Sequence, residues 1–228
     1  MKIGELIGTG RTADVYALDE HRVLRRYRDP SHGDPASEAA VMIYLARHGY
    51  PVPAVRPEDT PGPDSLVMER ITGPTMTEAL LAGTITPDRA GEELAGLLNR
   101  LHAVPAPETA PPGHRILHLD LHPENVLLTG SGPVVIDWST AEVGPPGLDS
   151  AMSALILAQV VAGMAVGLPP AALEAVREVL ASLLRNLDDP AAPLFARARA
   201  RRAANPTLGP DEVALLDEAL RIIEAIPR

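Results

Sequence analysis

Residues 118–125 read His118-Leu119-Asp120-Leu121-His122-Pro123-Glu124-Asn125, and beyond them the chain continues Val134-Val135-Ile136-Asp137-Trp138. The first stretch predicts a loop presenting Asp120, with Asn125 opening an apolar strand. Gly130-Ser131-Gly132-Pro133 turns that strand back, and the return strand ends on Asp137. A hairpin of this length predicts Asn125 and Asp137 side by side at one edge, facing Asp120. An amide and a carboxylate offer oxygen to a hard cation such as Mg²⁺, which completes its shell with water and phosphate oxygens. The remaining carboxylate can orient an attacking hydroxyl and accept its proton. A merely polar hairpin leaves the pairing of these acids with an apolar return strand unexplained.

Upstream, Gly8-Thr9-Gly10-Arg11-Thr12-Ala13-Asp14-Val15 joins two extended segments, residues 3–7 and 14–18. Glycines let a backbone approach phosphates closely, and Val15 can pack on a base. A strand follows, so this is not the dinucleotide fingerprint, which opens a helix. Taken alone, an ordinary hairpin accounts for it; ahead of the Asp120 loop it reads as a nucleotide-binding turn. A third strand, residues 22–27, alternates so that Val23, Arg25 and Tyr27 share one face.

Pro35 and Ser37 introduce a helix to about His48, stopped by Gly49. Tyr50-Pro51-Val52-Pro53 is extended, because each proline disfavours helix in the residue before it. Residues 66–69 form a buried strand. The rest is mostly helical. Thr86 is an N-cap with Pro87 at the first helical position, and Leu94, Leu97, Leu98 and Leu101 follow on one face. Residues 104–113 are a Pro-rich loop. Residues 151–168 are apolar all round, near the length of a membrane span, yet interrupted by Ser153, Gln159 and Gly163 and without flanking anchors. A buried core helix is the reading adopted. A last helix covers residues 210–226.

The block from His118 to Trp138 resembles the catalytic and metal-binding loops of the aminoglycoside phosphotransferase and choline kinase-like family, with its HxDxxxxN pattern followed by Asp-Trp or Asp-Phe. The resemblance covers residues 3–149. It implies an α+β, bilobal protein-kinase-like fold: an antiparallel-sheet N-terminal lobe with one helix (residues 1–70) and a mostly helical C-terminal lobe (71–228). It implies Asp120 as catalytic base with His118 bracing its loop, and Asn125 and Asp137 as Mg²⁺ ligands. ATP would be held by Gly8, Gly10, Ala13 and Val15, with the hinge at Met68, Glu69 and Ile71 hydrogen-bonding adenine through its backbone.

One element departs from the family. Its third-strand lysine, paired with a glutamate from the next helix, is missing: Lys2 is the sole lysine and precedes the glycine turn. Arg25 aligns with that position, and Glu38 with the glutamate. Arginine keeps the charge and adds a bidentate fork. Arg22, Arg26 and Arg28 read as an exposed basic strand, Asp149 as a helix N-cap, and Arg197, Arg199, Arg201 and Arg202 as a solvated helix face.

Composition excludes several classes. Thirty acidic residues against twenty basic ones give a net charge of −10, without the basic surface that nucleic-acid binding requires. There is no cysteine, hence no disulfide, thiolate metal site or cysteine nucleophile. The opening residues lack a secretory apolar stretch. The expectation is a cytoplasmic kinase acting on a hydroxyl of a small molecule, without nucleic acid, membrane or obligate protein partner. Two alternatives stand beside it: a nucleotide-binding pseudokinase or scaffold, favoured by the missing lysine, and a compact atypical protein kinase. The second has little room for an activation loop between Asp137 and Asp149, lacks an Ala-Pro-Glu segment, and has Asp-Trp-Ser for Asp-Phe-Gly.

Overall fold

A computed structural model describes residues 3–29, 33–165 and 167–227. In chain order these form strands β1 (Leu6–Thr9), β2 (Ala13–Ala17) and β3 (Arg22–Tyr27), helix α1 (Pro35–Arg47) and strand β4 (Ser65–Glu69). Helices α2 (Met76–Leu81) and α3 (Pro87–Ala103) follow, then strands β5 (Arg115–Leu117), β6 (Val126–Thr129), β7 (Gly132–Val135) and β8 (Glu142–Gly144). Helices α4 (Pro146–Gln159), α5 (Pro170–Asn186), α6 (Phe195–Ala203), α7 (Pro210–Ala214) and α8 (Leu216–Ala225) complete the chain. They divide into two compact units, Met1–Pro74 with Val126–Ala141, and Thr75–Asn125 with Glu142–Arg228.

The first unit is built on an antiparallel sheet in the order β1-β2-β3-β4. Val23, Arg25 and Tyr27 are buried on one face of β3 as the sequence predicts, but on the other face Leu24 is buried too and only Arg26 is exposed. Helix α1 begins at Asp34, whose carboxylate accepts from the Ala36 backbone N–H, so the cap lies one residue before Pro35. It ends where Gly49 takes φ +73°, a conformation glycine adopts without a Cβ clash. The β6–β7 hairpin belongs to this unit: the Leu128 N–H donates to the Pro74 carbonyl and that of Val135 to the Pro51 carbonyl. Asn125 precedes the hairpin strand in a short 3₁₀ turn, and Asp137 lies two residues past the end of β7.

The second unit is mostly helical. Thr86 caps α3 as expected, and Leu94, Leu97, Leu98 and Leu101 are all buried. Helix α3 packs on α5 so closely that Gly91 has no room for a side chain: a Cβ there would lie 2.5 Å from both the Ser182 Cβ and the Val179 carbonyl oxygen. The apolar helix begins at Pro146, earlier than predicted, and ends in a π-helical turn (Val160–Met164) where Gly163 takes φ +113°. By length and composition it could cross a membrane, but 72% of its most apolar window is buried within the fold, as a core helix requires. The predicted final helix is two, broken at Leu215 between α7 and α8.

Candidate active site

In the first unit, β1 and β2 are joined by a turn closed by a hydrogen bond from the Gly10 N–H to the Ala13 carbonyl. Neither Gly8 nor Gly10 has a left-handed backbone. A Cβ on either would make ordinary contacts, at 3.6 Å and 3.4 Å, so the glycines act by leaving the turn bare. Arg28, read from sequence as part of a solvated strand, staples this turn. Its Nη2 donates to the Gly10 carbonyl at 2.5 Å and to Asp14 Oδ1 at 2.8 Å. Ala13 is buried and Val15 half-buried.

Arg25 sits inside this unit among acids. Its Nη2 donates to Asp137 Oδ1 at 2.6 Å, and its Nε lies 3.5 Å from Glu38 Oε2. The pairing of Arg25 with Glu38 follows the sequence expectation; the stronger bond, to Asp137, was not anticipated. Burial works against the guanidinium's charge, but Asp137 and then Glu38 hold its pKa above the ordinary value. Glu38 is itself well ordered: it accepts from the Tyr27 hydroxyl at 2.5 Å and from the Trp138 backbone N–H at 3.1 Å. Burial pushes its carboxyl upward. Asp137 also accepts from the Ser139 hydroxyl at 2.7 Å. Trp138 is held edge-on against Tyr50, 5.7 Å between ring centres.

Met68 is buried, while the N–H groups of Glu69 and Arg70 are committed to the carbonyls of Ala54 and His21. Glu69 additionally accepts from the Ala54 N–H through its side chain. Of the backbone donors from Glu69 onward, that of Ile71 is the first without an intra-unit bond among the described residues.

In the second unit the loop after β5 is fixed by a residue assigned a different role from sequence. Asp149 does not cap α4: the helix starts at Pro146, and Asp149 is fully buried in its first turn. Its two oxygens accept instead from the backbone of the loop that follows β5, Oδ2 from the His118 N–H at 2.8 Å and Oδ1 from the Leu119 N–H at 2.7 Å. Oδ2 also meets His102 Nε2 at 3.2 Å, and His102 Nδ1 lies 2.8 Å from Asp189. Burial opposes charge on Asp149, yet the bond from His102 and the backbone N–H keep its carboxyl below the usual range. His118 accepts on Nδ1 from the Asp120 N–H at 3.2 Å.

Clamped in this way, Leu119 takes φ 65°. It and Asp137, at φ 63°, are the non-glycine residues with left-handed backbones among those described. Such conformations are costly for a bulky side chain and persist where the surroundings impose them, often at functional sites. Asp120 is one-third exposed, with Oδ2 3.7 Å from His122 Nε2. Asn125 donates through its amide nitrogen to the Asp120 carbonyl at 2.8 Å. Its amide oxygen is then the atom it can offer to a cation, and Asp137 offers a carboxylate. Each is by itself an oxygen donor of the kind Mg²⁺ prefers, Asn125 neutral in the second unit and Asp137 anionic in the first.

The model of the phosphotransferase enzyme family matches residues 4–116 and 113–179. The chain belongs to that family. Two curated Streptomyces proteins are similar to this phosphotransferase-family chain. A probable serine/threonine-protein kinase of Streptomyces coelicolor is 28% identical over 179 residues, 68% of this chain and 25% of the relative. The streptomycin 6-kinase of Streptomyces griseus is 32% identical over 127 residues, 37% of this chain and 40% of the relative. The chain thus spans well under half the length of both. Among solved structures, a gentamicin–APH(2″)-IIa complex matches with TM-score 0.57 at 14% identity, covering 100% of this chain and 93% of that one. A streptomycin–ATP–APH(2″)-IIa ternary complex matches at 0.53 and 13%, covering 96% and 92%. The shared fold is the protein-kinase-like one expected from the HxDxxxxN block.

Proposed function

We propose that this chain transfers the γ-phosphate of ATP to a hydroxyl group of a small molecule, in the cytoplasm. The observation that carries the reading is the clamp of Asp149 on the His118 and Leu119 backbone, which fixes the loop presenting Asp120. Family membership supports the reaction class, and the fold shared with a kinase crystallised with ATP and an antibiotic supports nucleotide and acceptor type.

The residues take the following parts. The glycine turn, stapled by Arg28, covers the phosphates with its bare backbone, and the adenine edge meets the Ile71 N–H. Asn125 and Asp137 are the residues that would hold Mg²⁺, and the ion would neutralise phosphate charge and the charge building on the leaving group. Asp120 orients the acceptor hydroxyl. As the acceptor oxygen bonds to the γ-phosphorus, the bond from that phosphorus to the β,γ-bridging oxygen breaks. The hydroxyl proton passes to Asp120 and ADP departs.

Arg25 favours a second reading, a nucleotide-binding chain without turnover, because its guanidinium is already spent on Asp137 and Glu38. A screen of Mg²⁺-ATP consumption over aminoglycosides, amino sugars and choline-like alcohols separates the two. Acceptor-dependent ADP release that Asp120→Asn reduces by about 10²–10⁴-fold supports the kinase. Tight Mg²⁺-ATP binding with no transfer to any acceptor sinks it in favour of the second reading.

A further inference from the structure

Helix α6 carries four arginines with two different fates. Arg197 is exposed, Arg199 pairs with Asp217 at 2.6 Å, and Arg201 pairs with Glu142 at 2.9 Å. Arg202 turns inward and is 6% exposed. Its Nε donates to the side-chain oxygen of Gln159, and the Gln159 amide nitrogen donates to the Glu212 carbonyl at 2.9 Å. Its Nη2 lies 4.0 Å from the Met164 sulfur. Its remaining tip, Nη1, stands 3.6 Å from Oδ1 of Asp120.

We propose that Arg202 is a positioning residue for phosphoryl transfer, holding the carboxylate of Asp120 in the plane from which it meets the acceptor hydroxyl. This rests on the role of Asp120 given above. A guanidinium withdrawn from water requires a compensating charge, and Gln159 supplies a dipole alone. Asp120 brings a negative charge to 3.6 Å from the Arg202 Nη1. Its two oxygens thereby become inequivalent, Oδ1 facing Arg202 and Oδ2 facing His122 at 3.7 Å. A carboxylate at the tip of a loop otherwise turns freely about its last bond. The ion-pair contact with the buried Arg202 restricts that turn, while one-third exposure leaves the carboxylate open to a substrate. The tether is rigid, because Gln159 is buried on α4 and anchored in turn to Glu212. Arg202 also lies beyond residue 179, where the family match ends, so this part of the site is supplied by the chain's own C-terminal helices.

The test uses the full chain with Mg²⁺-ATP and with streptomycin, choline and glucosamine offered in parallel as acceptors. Affinity for Mg²⁺-AMP-PNP is measured alongside by calorimetry. Misplacing a reacting group by about 1 Å can cost about 10²-fold in rate. Arg202→Met is therefore expected to lower kcat by about that factor, with AMP-PNP affinity unchanged. Arg202→Lys should recover part of the loss, keeping the charge without the Gln159 tether. In an Asp120→Asn background Arg202→Met should add nothing, since the two act as one unit. Equal losses in both backgrounds, or a silent Arg202→Met where Asp120→Asn is crippled, overturn the proposal. A wild-type chain that transfers to no acceptor, or an undamaged Asp120→Asn, removes the role of Asp120 itself and the proposal with it, and is recognised as that separate result. If Arg202→Met does not fold, Arg202→Lys and Gln159→Met decide: wild-type kcat in both overturns it, and reduced kcat at unchanged AMP-PNP affinity supports it.

Discussion

Arg25 and Asp137 are bound to each other at 2.6 Å, although 112 positions separate them in the chain. The bond ties the third strand of the sheet to the residue that follows the β6–β7 hairpin. Glu38 completes the arrangement from α1, 3.5 Å from the same guanidinium. One buried cation thus faces two acids. Removing it leaves Glu38 desolvated beside a half-buried Asp137, and breaking a buried pair from one side typically costs about 3–5 kcal/mol. Arg25→Met should destabilise the chain by about that amount in urea denaturation. Arg25→Lys should cost less, because an ammonium keeps the charge and loses the fork. If Arg25→Met unfolds at the wild-type midpoint, the pair contributes nothing to the fold.

The same bond bears on metal binding. If Asp137 is a Mg²⁺ ligand, Asp137→Ala should weaken Mg²⁺-AMP-PNP binding and abolish turnover. Its effect on metal-free nucleotide should be smaller, because the carboxylate reaches phosphate through the cation. Calorimetry giving equal Mg²⁺-AMP-PNP affinities for mutant and wild type refutes the metal assignment.

Legibility of this site in the sequence followed the range of its contacts. The elements marked by local chemistry were readable: the Asp120 loop with its Gly-Ser-Gly-Pro hairpin, Thr86-Pro87 at the start of α3, and the alternation that buries Arg25. Glu38 could be placed because it opens the helix after the arginine strand. Asp149 could not. Its position in a first helical turn suggests a cap, whereas its partners His118 and Leu119 are some thirty residues away. Arg202 failed for the same reason, sitting in a basic run whose other members are exposed or half-exposed, whereas Arg28 is exposed as read and only its bonds to the glycine turn went unforeseen. The break at Leu215 carries no proline or glycine to announce it.

Gly91 offers a test of packing away from the chemistry. It lies in the middle of α3, where glycine ordinarily weakens a helix by about 1 kcal/mol relative to alanine. Propensity alone therefore predicts that Gly91→Ala stabilises the chain. The contact with α5 predicts the reverse, since the new methyl would sit 2.5 Å from the Val179 carbonyl oxygen and the Ser182 Cβ. Overpacking of this kind typically costs about 1–3 kcal/mol. Gly91→Ala should lower the thermal midpoint; a rise would mean that α5 moves aside.

The clamp of Asp149 on the loop that presents Asp120 predicts a pH dependence whose sign is fixed by His102. Its ring faces Asp149 from α4 and Asp189 from the segment after α5, while Arg115 from β5 donates to its backbone carbonyl at 2.9 Å. Burial disfavours the imidazolium, but Asp149 and then Asp189 raise its pKa above 6.5 in the folded chain. A group whose folded pKa is raised contributes its stability in full below the unfolded value. That contribution is lost as pH climbs through the folded value. Unfolding free energy attributable to His102 should therefore be greatest below about pH 6.5 and decline on the alkaline side. His102→Gln should remove this slope while leaving the backbone bonds of Asp149 to His118 and Leu119 in place. Asp149→Ala should do more, leaving two buried N–H groups unpaired at about 1–3 kcal/mol each. It should also release Leu119 from its left-handed backbone, lowering kcat without changing Mg²⁺-AMP-PNP affinity. Urea titrations of wild type, His102→Gln and Asp149→Ala at a series of pH values from 5 to 9, run beside the transfer assay, give both readings. Parallel stability curves for wild type and His102→Gln across that range would show that His102 takes no charged part in the clamp.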